Sequence, residues 1–81
     1  MKDEDVFFQL ADEWKEKIPT GLWRHYKGGE YEVLGISLHS ETLESMVVYR
    51  ARYGEGRIWV RPAAMWLSPV GEGTRFTYIG K

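Results

Sequence analysis

The sequence contains no cysteine, only two histidines and only three prolines among 81 residues. Without cysteine there is no disulfide framework, no thiolate nucleophile and no cysteine–zinc site. The histidines, at positions 25 and 39, match no two-histidine metal motif, so we expect neither a metal ion nor a cofactor. No apolar run approaches the ~20 residues of a membrane span, and the acidic N-terminus is unlike a signal peptide. We therefore expect a cytoplasmic protein with no membrane contact.

The net charge of −1 hides an uneven distribution of charged residues. Residues 1–20 carry six acids against three lysines, whereas residues 21–81 carry eight bases, six of them arginine, against six acids. One interpretation is an ordinary solvated surface, and the other is a mildly basic module with an acidic appendage. An excess of two bases is far below the strongly basic character of a dedicated DNA-binding domain.

The first segment, DEDVFFQLADEWKEKI, has the three- and four-residue apolar spacing of an amphipathic helix. Its apolar stripe consists of Val6, Phe7, Leu10, Ala11, Trp14 and Ile18. Because an isolated helix of this length is marginal in water, we expect residues 1–18 to pack on the rest of the chain. The alternative is that the stripe packs on a partner or on a second copy.

After Gly21 the pattern predicts short strands separated by turns. LWRHYK and EYEVLGISLH flank Gly28-Gly29, LESMVVYRARY and RIWVRP flank GEG, and RFTYIG is a last strand. Between them PAAMWLSP is typical of a single helical turn. Five strands with a helical turn before the last predict a small SH3-like barrel over residues 21–81.

The hairpin at GEG decides which side chains share a face of the sheet. A two-residue turn places Ile58 and Val60 on the side of Tyr49, and Trp59 with the arginines on the other side. A three-residue loop exchanges these faces. We expect the first arrangement because it groups the aliphatic side chains together and the charges together.

The stretch HSETLE combines a histidine, a serine and two carboxylates. His39 and Ser40 are adjacent, and adjacent residues on a strand point to opposite sides, which disfavours a serine–histidine pair. Ser, Thr and Glu side chains can instead hold a connecting turn through main-chain N–H groups. We expect a structural turn, with part of a ligand-binding lip as the alternative. Catalysis by His39 and Glu41 as acid and base is a further alternative.

The aromatic residues are the remaining candidates for function. Trp59, flanked at alternating positions by Arg57 and Arg61, is the side chain most expected to be exposed. Such an arrangement can stack nucleic-acid bases or hold an extended peptide. The competing interpretation is that Trp59 packs beneath the N-terminal helix.

Three segments, GLWRHYKGGEYEVLG, HSETLESMVVYRARYGEGRIWVRP and MW, occur in order and spacing that resemble the bacterial domain-of-unknown-function family 1653. The resemblance covers about sixty residues and implies a barrel-like β fold, alone or appended to other domains, with no established activity. The residues that carry it are His25, Tyr26, Lys27, Gly28, Tyr31, His39, Glu41, Thr42, Glu44, Tyr49, Tyr53, Gly54, Trp59, Arg61, Pro62 and Met65. Ala63-Ala64 and Arg52 depart from the family pattern, and the N-terminal helix lies outside it.

Several of these polar residues have no obvious role in the fold. Ion pairs of Arg61 with Glu41 or Glu44 would explain some of them, and a shared polar pocket would explain the same set. The sequence thus predicts a non-catalytic module that binds single-stranded nucleic acid or a peptide, as a monomer or as a weak homodimer through its helix. The predicted ligand-facing residues are His25, Tyr26, His39, Glu41, Trp59 and Arg61. A protein-interaction or dimerisation domain is the alternative function, and a small enzyme or enzyme accessory domain is a further one.

Overall fold

The computed structural model describes residues 3–81, so Met1 and Lys2 of the predicted helical segment lie outside the described residues. The elements are α1 (Asp3–Lys17), β1 (Gly21–His25), β2 (Glu30–Leu38), β3 (Ser45–Ala51), β4 (Ile58–Pro62), α2 (Ala63–Trp66), β5 (Pro69–Val70), β6 (Gly73–Thr74) and β7 (Phe76–Gly80). This order confirms a mainly β protein with an N-terminal helix. The sequence analysis did not predict the small hairpin β5–β6.

Five strands form one antiparallel sheet in the order β4-β3-β2-β1-β7. Within residues 3–81 the two edge strands β4 and β7 do not pair with each other, so the sheet is open and the expected SH3-like barrel is not confirmed. The sheet is nevertheless strongly curled. Arg61 on one edge strand places its guanidinium carbon 5.6 Å from the ring centroid of Phe76 on the other edge strand. A bulge in β2 between Val33 and Gly35 contributes to this bend.

One face of the sheet, called here the inner face, carries the hydrophobic core. Its buried residues are Trp23, Val33, Val47, Tyr49 and Phe76, joined by Ile18, Ala63 and Trp66 from outside the sheet. Trp66 is 0% exposed and stacks on Phe76 with 3.7 Å between ring centroids and 2° between ring planes. The four-residue helix α2 thus inserts a large aromatic side chain into the centre of the core.

Helix α1 lies over β2 and β3 and contributes Ala11 to the buried residues, and Ile18, directly after the helix, is also buried. Trp14 packs against the same core, and its carbonyl oxygen accepts the N–H of Ile18 at 2.8 Å just beyond the helix. Val6 and Leu10, the other edge of the predicted stripe, stay exposed. Only part of the predicted stripe therefore packs on the sheet.

The expected register of the β3–β4 hairpin is wrong. Tyr49 pairs with Trp59, and the N–H of Ala51 donates to the carbonyl oxygen of Arg57 at 3.0 Å. The loop is therefore five residues long, 52–56, and its odd length exchanges the faces of β4 relative to a two-residue turn. Gly54 and Gly56 both have positive φ angles, 61° and 68°, which allow the wider loop.

This register moves Trp59 and Arg61 to the inner face with Tyr49, and moves Ile58 and Val60 to the outer face with Arg50. Trp59 is still 54% exposed, so it does not pack beneath α1. It stays accessible because β4 is an edge strand. The prediction of an exposed Trp59 is therefore confirmed, but on the opposite face of the sheet.

Candidate functional site: an aromatic cleft beside unpaired cations

A cleft of about 260 Å³ opens on the inner face where β2, β3 and β4 meet the 52–56 loop. This aromatic cleft is lined by Tyr31, Tyr49, Ala51, Tyr53, Gly54, Glu55, Arg57 and Trp59. A second cavity of about 390 Å³ has no aromatic side chain among its lining residues, which are Thr20, Gly21, Leu22, Glu32, Val33, Leu34, Arg52 and Lys81. The aromatic cleft is therefore the candidate for stacking a planar ligand.

Strand pairing explains why these side chains surround a gap. Tyr31 lies opposite Ala51, and Tyr49 lies opposite Trp59, so all four point to the inner face. Ala51 is the small member of the set, and the larger rings around it leave space above its methyl group. Tyr53, in the loop, closes one side of that space.

The tyrosines form a connected wall. The Tyr31 and Tyr53 hydroxyl oxygens are 2.9 Å apart and share a hydrogen bond, and the Tyr31 ring meets the rings of Tyr49 and Tyr53 edge-on at 5.4 Å and 5.6 Å. Burial, and secondarily the Tyr53 hydrogen bond, raise the pKa of Tyr31 to about 12. The cleft therefore presents a neutral phenol that can donate or accept a hydrogen bond.

Three cations lie around His25, whose ring is joined to this wall through the ring of Phe76. Burial is the main cause that lowers the pKa of His25, and the positive charges of Arg61, Arg75 and Lys27 lower it further. The four ion pairs among the described residues are Lys15–Asp12, Arg24–Glu30, Arg52–Glu32 and Arg57–Glu55. None of them includes Lys27, Arg61 or Arg75, so none of these three cations forms an ion pair with a carboxylate within the described part of the chain.

Arg61 is the most constrained of these cations. Its guanidinium lies 5.6 Å from the Phe76 ring centroid, and its Nε atom is buried without a hydrogen-bond partner in the described structure. The alternative of an ion pair between Arg61 and Glu41 or Glu44 is contradicted, because neither carboxylate forms an ion pair with Arg61 among the described residues. Arg61 is a positioned donor whose charge remains available to an anion.

His25 and Tyr26 adjoin the cationic group at the β1–β2 turn. The Nδ1 atom of His25 accepts the main-chain N–H of Lys27 at 3.2 Å, and the ring meets Phe76 edge-on at 4.9 Å. Tyr26, half exposed, leans on His25 with 4.5 Å between ring centroids. Since Phe76 also meets Tyr31 at 5.9 Å, a continuous row of rings joins Tyr26 to the aromatic cleft.

His39 and Glu41 lie elsewhere, in the turn between β2 and β3. The two turns flank the nine-residue strand β2, so they are separated by about 26 Å along the sheet. The structure thus brings His25, Tyr26, Trp59 and Arg61 to one region of the inner face and does not bring His39 or Glu41 to it.

The His39 side chain holds its own turn. Its Nδ1 atom accepts the main-chain N–H groups of Glu41 at 3.1 Å and Thr42 at 3.2 Å, and the Thr42 hydroxyl accepts the N–H of Glu44 at 3.2 Å. Leu43 completes the turn with a left-handed φ of 63°. These bonds to the Nδ1 atom of His39 are those expected of a structural turn.

The sequence analysis did not assign Tyr31, Tyr49 or Tyr53 to the site. They stood out only among the residues that carry the family resemblance. The missing signal was the register of the β3–β4 hairpin, which puts Trp59 beside Tyr49.

Among the described residues, no cluster of three or more side chains could hold a metal ion. None of the helices in residues 3–81 is long and apolar enough to cross a membrane.

The fold and site define a small antiparallel β-sheet protein with an N-terminal helix and an aromatic cleft flanked by cations. The chain belongs to the family described as Protein of unknown function (DUF1653), which matches residues 21–78. A crystal structure of a DUF1653 protein from Bordetella bronchiseptica is similar, with a TM-score of 0.72 and 35% sequence identity. The similarity covers 80% of this chain and 91% of that protein. No curated protein matches the chain. The resemblance seen in the sequence is confirmed, and helix α1 precedes the matched residues.

Proposed function

We propose that the protein is a small non-catalytic module whose aromatic cleft binds single-stranded nucleic acid. The observation that carries the proposal is the exposed Trp59, set among three tyrosines in the cleft, with Arg61 two residues further along the same face of β4 and outside the four ion pairs of the described residues. Proteins that bind single strands combine these two features, because rings stack on bases and cations hold the backbone phosphates. A peptide without acidic residues would use the rings equally well but gives no reason for the unpaired positive charge.

The same proposal assigns different roles to two parts of the chain. Residues 21–81 form the binding module, and helix α1 together with Ile18 covers the part of its inner face over β2 and β3. The element order, five strands with α2 before the last, supports an SH3-like relationship in which the curled sheet is left open. We place the module in the cytoplasm of a bacterial cell, where single-stranded RNA is present.

A titration of the ¹⁵N-labelled protein with a mixed pool of short single-stranded RNA tests the proposal. Stacking on Trp59 should move its indole N–H signal and the amide signals of Tyr31 and Arg61. The indole of Trp23 is an internal control, because it is buried and donates to the carbonyl oxygen of Pro19 at 3.0 Å. A spectrum in which no cleft signal moves would contradict nucleic-acid binding and redirect the search to peptides.

Matched variants separate the cleft from the rest of the surface. Trp59→Ala should weaken RNA binding by about 1–3 kcal/mol. Phe8→Ala removes an aromatic ring with a similar exposed fraction, 46%, from helix α1 and should leave binding unchanged. Equal losses for the two variants would show that binding is not at the cleft.

A second candidate function, self-association through the helix, is favoured by one observation. Val6, Phe8 and Leu10 are 45%, 46% and 42% exposed, which leaves apolar surface on α1 outside its contact with the sheet. Sedimentation equilibrium of the wild type against a Val6→Ser/Leu10→Ser variant tests it. A wild type that is strictly monomeric at high concentration would exclude a dimer through this surface.

A further inference from the structure

Two half-exposed aromatic residues, not one, adjoin the cationic group. Trp59 on β4 is 54% exposed, and Tyr26, directly after β1, is 50% exposed. Tyr26 does not line the aromatic cleft. The rings of His25, Phe76 and Tyr31 lie between it and the cleft, in steps of 4.5, 4.9 and 5.9 Å between centroids. A base stacked on Trp59 therefore cannot also stack on Tyr26.

Arg61 is suited to the space between these two positions. Its guanidinium lies over Phe76, which touches both His25 on the side of Tyr26 and Tyr31 on the side of the cleft. Guanidinium groups bind phosphate through two parallel N–H bonds, and a side chain already held by packing loses less conformational freedom on binding. Lys27, whose ammonium is 5.8 Å from the Tyr26 ring centroid, adds a second positive charge at the outer end.

We infer that the site takes a segment of at least two linked nucleotides, with one base on Trp59, another on Tyr26 and His25, and a linking phosphate on Arg61. This inference rests on the proposed function and specifies its ligand. Sheets that bind RNA through exposed aromatic rings stack about two or three bases in the same way. The bases must be unpaired, because duplex bases are stacked on one another and cannot reach two separate rings.

The length dependence of binding tests the inference directly. Calorimetric titration with oligouridine RNAs of one to six nucleotides should show a steep gain in affinity from one nucleotide to about three and a plateau at about four. Tyr26→Ala should weaken binding of the four-nucleotide RNA by about 5- to 150-fold and leave uridine monophosphate at Trp59 nearly unaffected. Tyr26→Phe keeps the ring and should bind like the wild type.

Salt dependence tests the role of Arg61. Each phosphate contact to a single strand contributes about 0.7 to the slope of log affinity against log salt. Arg61→Gln should reduce that slope by about this amount, whereas Arg52→Gln, which removes an arginine paired with Glu32 across 4.0 Å, should not. Amide spectra of both variants establish that they are folded.

The outcomes distinguish the inference from the proposal on which it rests. Tight binding of the mononucleotide, with no gain on lengthening and no effect of Tyr26→Ala, would overturn the two-base inference and leave the nucleic-acid module intact. An unchanged salt slope in Arg61→Gln would overturn the phosphate contact. If no RNA of any length binds, both the inference and the proposed function are wrong.

Discussion

Replacing His39 with alanine should destabilise the fold without weakening ligand binding. The change removes the acceptor of two main-chain hydrogen bonds, at 3.1 Å to the N–H of Glu41 and 3.2 Å to the N–H of Thr42. A side chain that accepts from the first N–H groups of a helix contributes typically ~1 kcal/mol. These bonds are exposed, and their donor–acceptor distances are near the long end of the usual range for hydrogen bonds. We therefore expect the free energy of unfolding to fall by about 0.5–1 kcal/mol.

Urea unfolding followed by tryptophan fluorescence measures this loss. For a domain of this size the corresponding drop in melting temperature is about 2–8 °C. His39→Asn is the matched control, because an asparagine oxygen accepts the same N–H groups and should retain most of the stability. Thr42→Ala removes the neighbouring bond to the N–H of Glu44 and should cost a similar amount.

The same variants decide between the two interpretations of the HSETLE turn. If His39→Ala leaves the free energy of unfolding unchanged but weakens RNA binding, the turn is part of a ligand-binding lip and the structural interpretation is wrong. If stability falls and binding is retained, His39 is a turn residue. A parallel loss of both in His39→Ala, with full recovery in His39→Asn, would also support the structural interpretation.

Two further predictions concern pH and a glycine. Because the pKa of His25 is lowered in the folded state, its contribution to stability is complete above its unfolded pKa of about 6.5 and is lost as pH falls through the folded value. The free energy of unfolding of the wild type, measured between about pH 8 and pH 5, should show this loss. In His25→Asn the part of the pH dependence that comes from His25 should be absent. Arg61→Gln removes a positive charge near His25 and should raise the pKa of His25 in an NMR titration. Gly71→Ala should cost about 1–2 kcal/mol, because φ there is 60° although no atom lies within 4 Å of an added Cβ. Gly35, equally open but without a positive φ, is the control, and equal effects of the two alanines in urea unfolding would contradict the strain argument.

The order of the two helices and the five long strands could be predicted from local signals alone. Pro19 and Gly21 separate the helix from the sheet, and Gly28-Gly29 marks the first hairpin. Apolar alternation located the five long strands within a few residues of their observed bounds. Openness of the sheet could not be predicted in this way, because pairing between β4 and β7 depends on the curl of the whole sheet rather than on either strand.

The candidate site was predicted less well, and one loop explains most of the difference. The sequence does not determine how many residues of RYGEG belong to the loop rather than to the paired strands. Each residue added to the loop exchanges the faces of β4. The rule that aliphatic side chains share a face favoured the wrong register. That rule assumes that one face of β4 is buried and the other is solvated. On this edge strand Ile58, Trp59 and Val60 are all more than half exposed.

The exposure of Trp59 follows from its place on the sheet and not from a lack of apolar neighbours. Its cross-strand partner Tyr49 is 7% exposed because the rings of Trp66 and Tyr31 pack on it, whereas Trp59 is left 54% exposed. Burying such a ring contributes about 1.5–3 kcal/mol or more, so the fold leaves unused a stabilisation that a stacked ligand can supply. The positive charge beside it selects among planar ligands for those that carry an anion. An exposed ring and an unpaired cation each have ordinary explanations, but Trp59 in the cleft and Arg61 two residues further along the same face of β4 together favour a nucleotide.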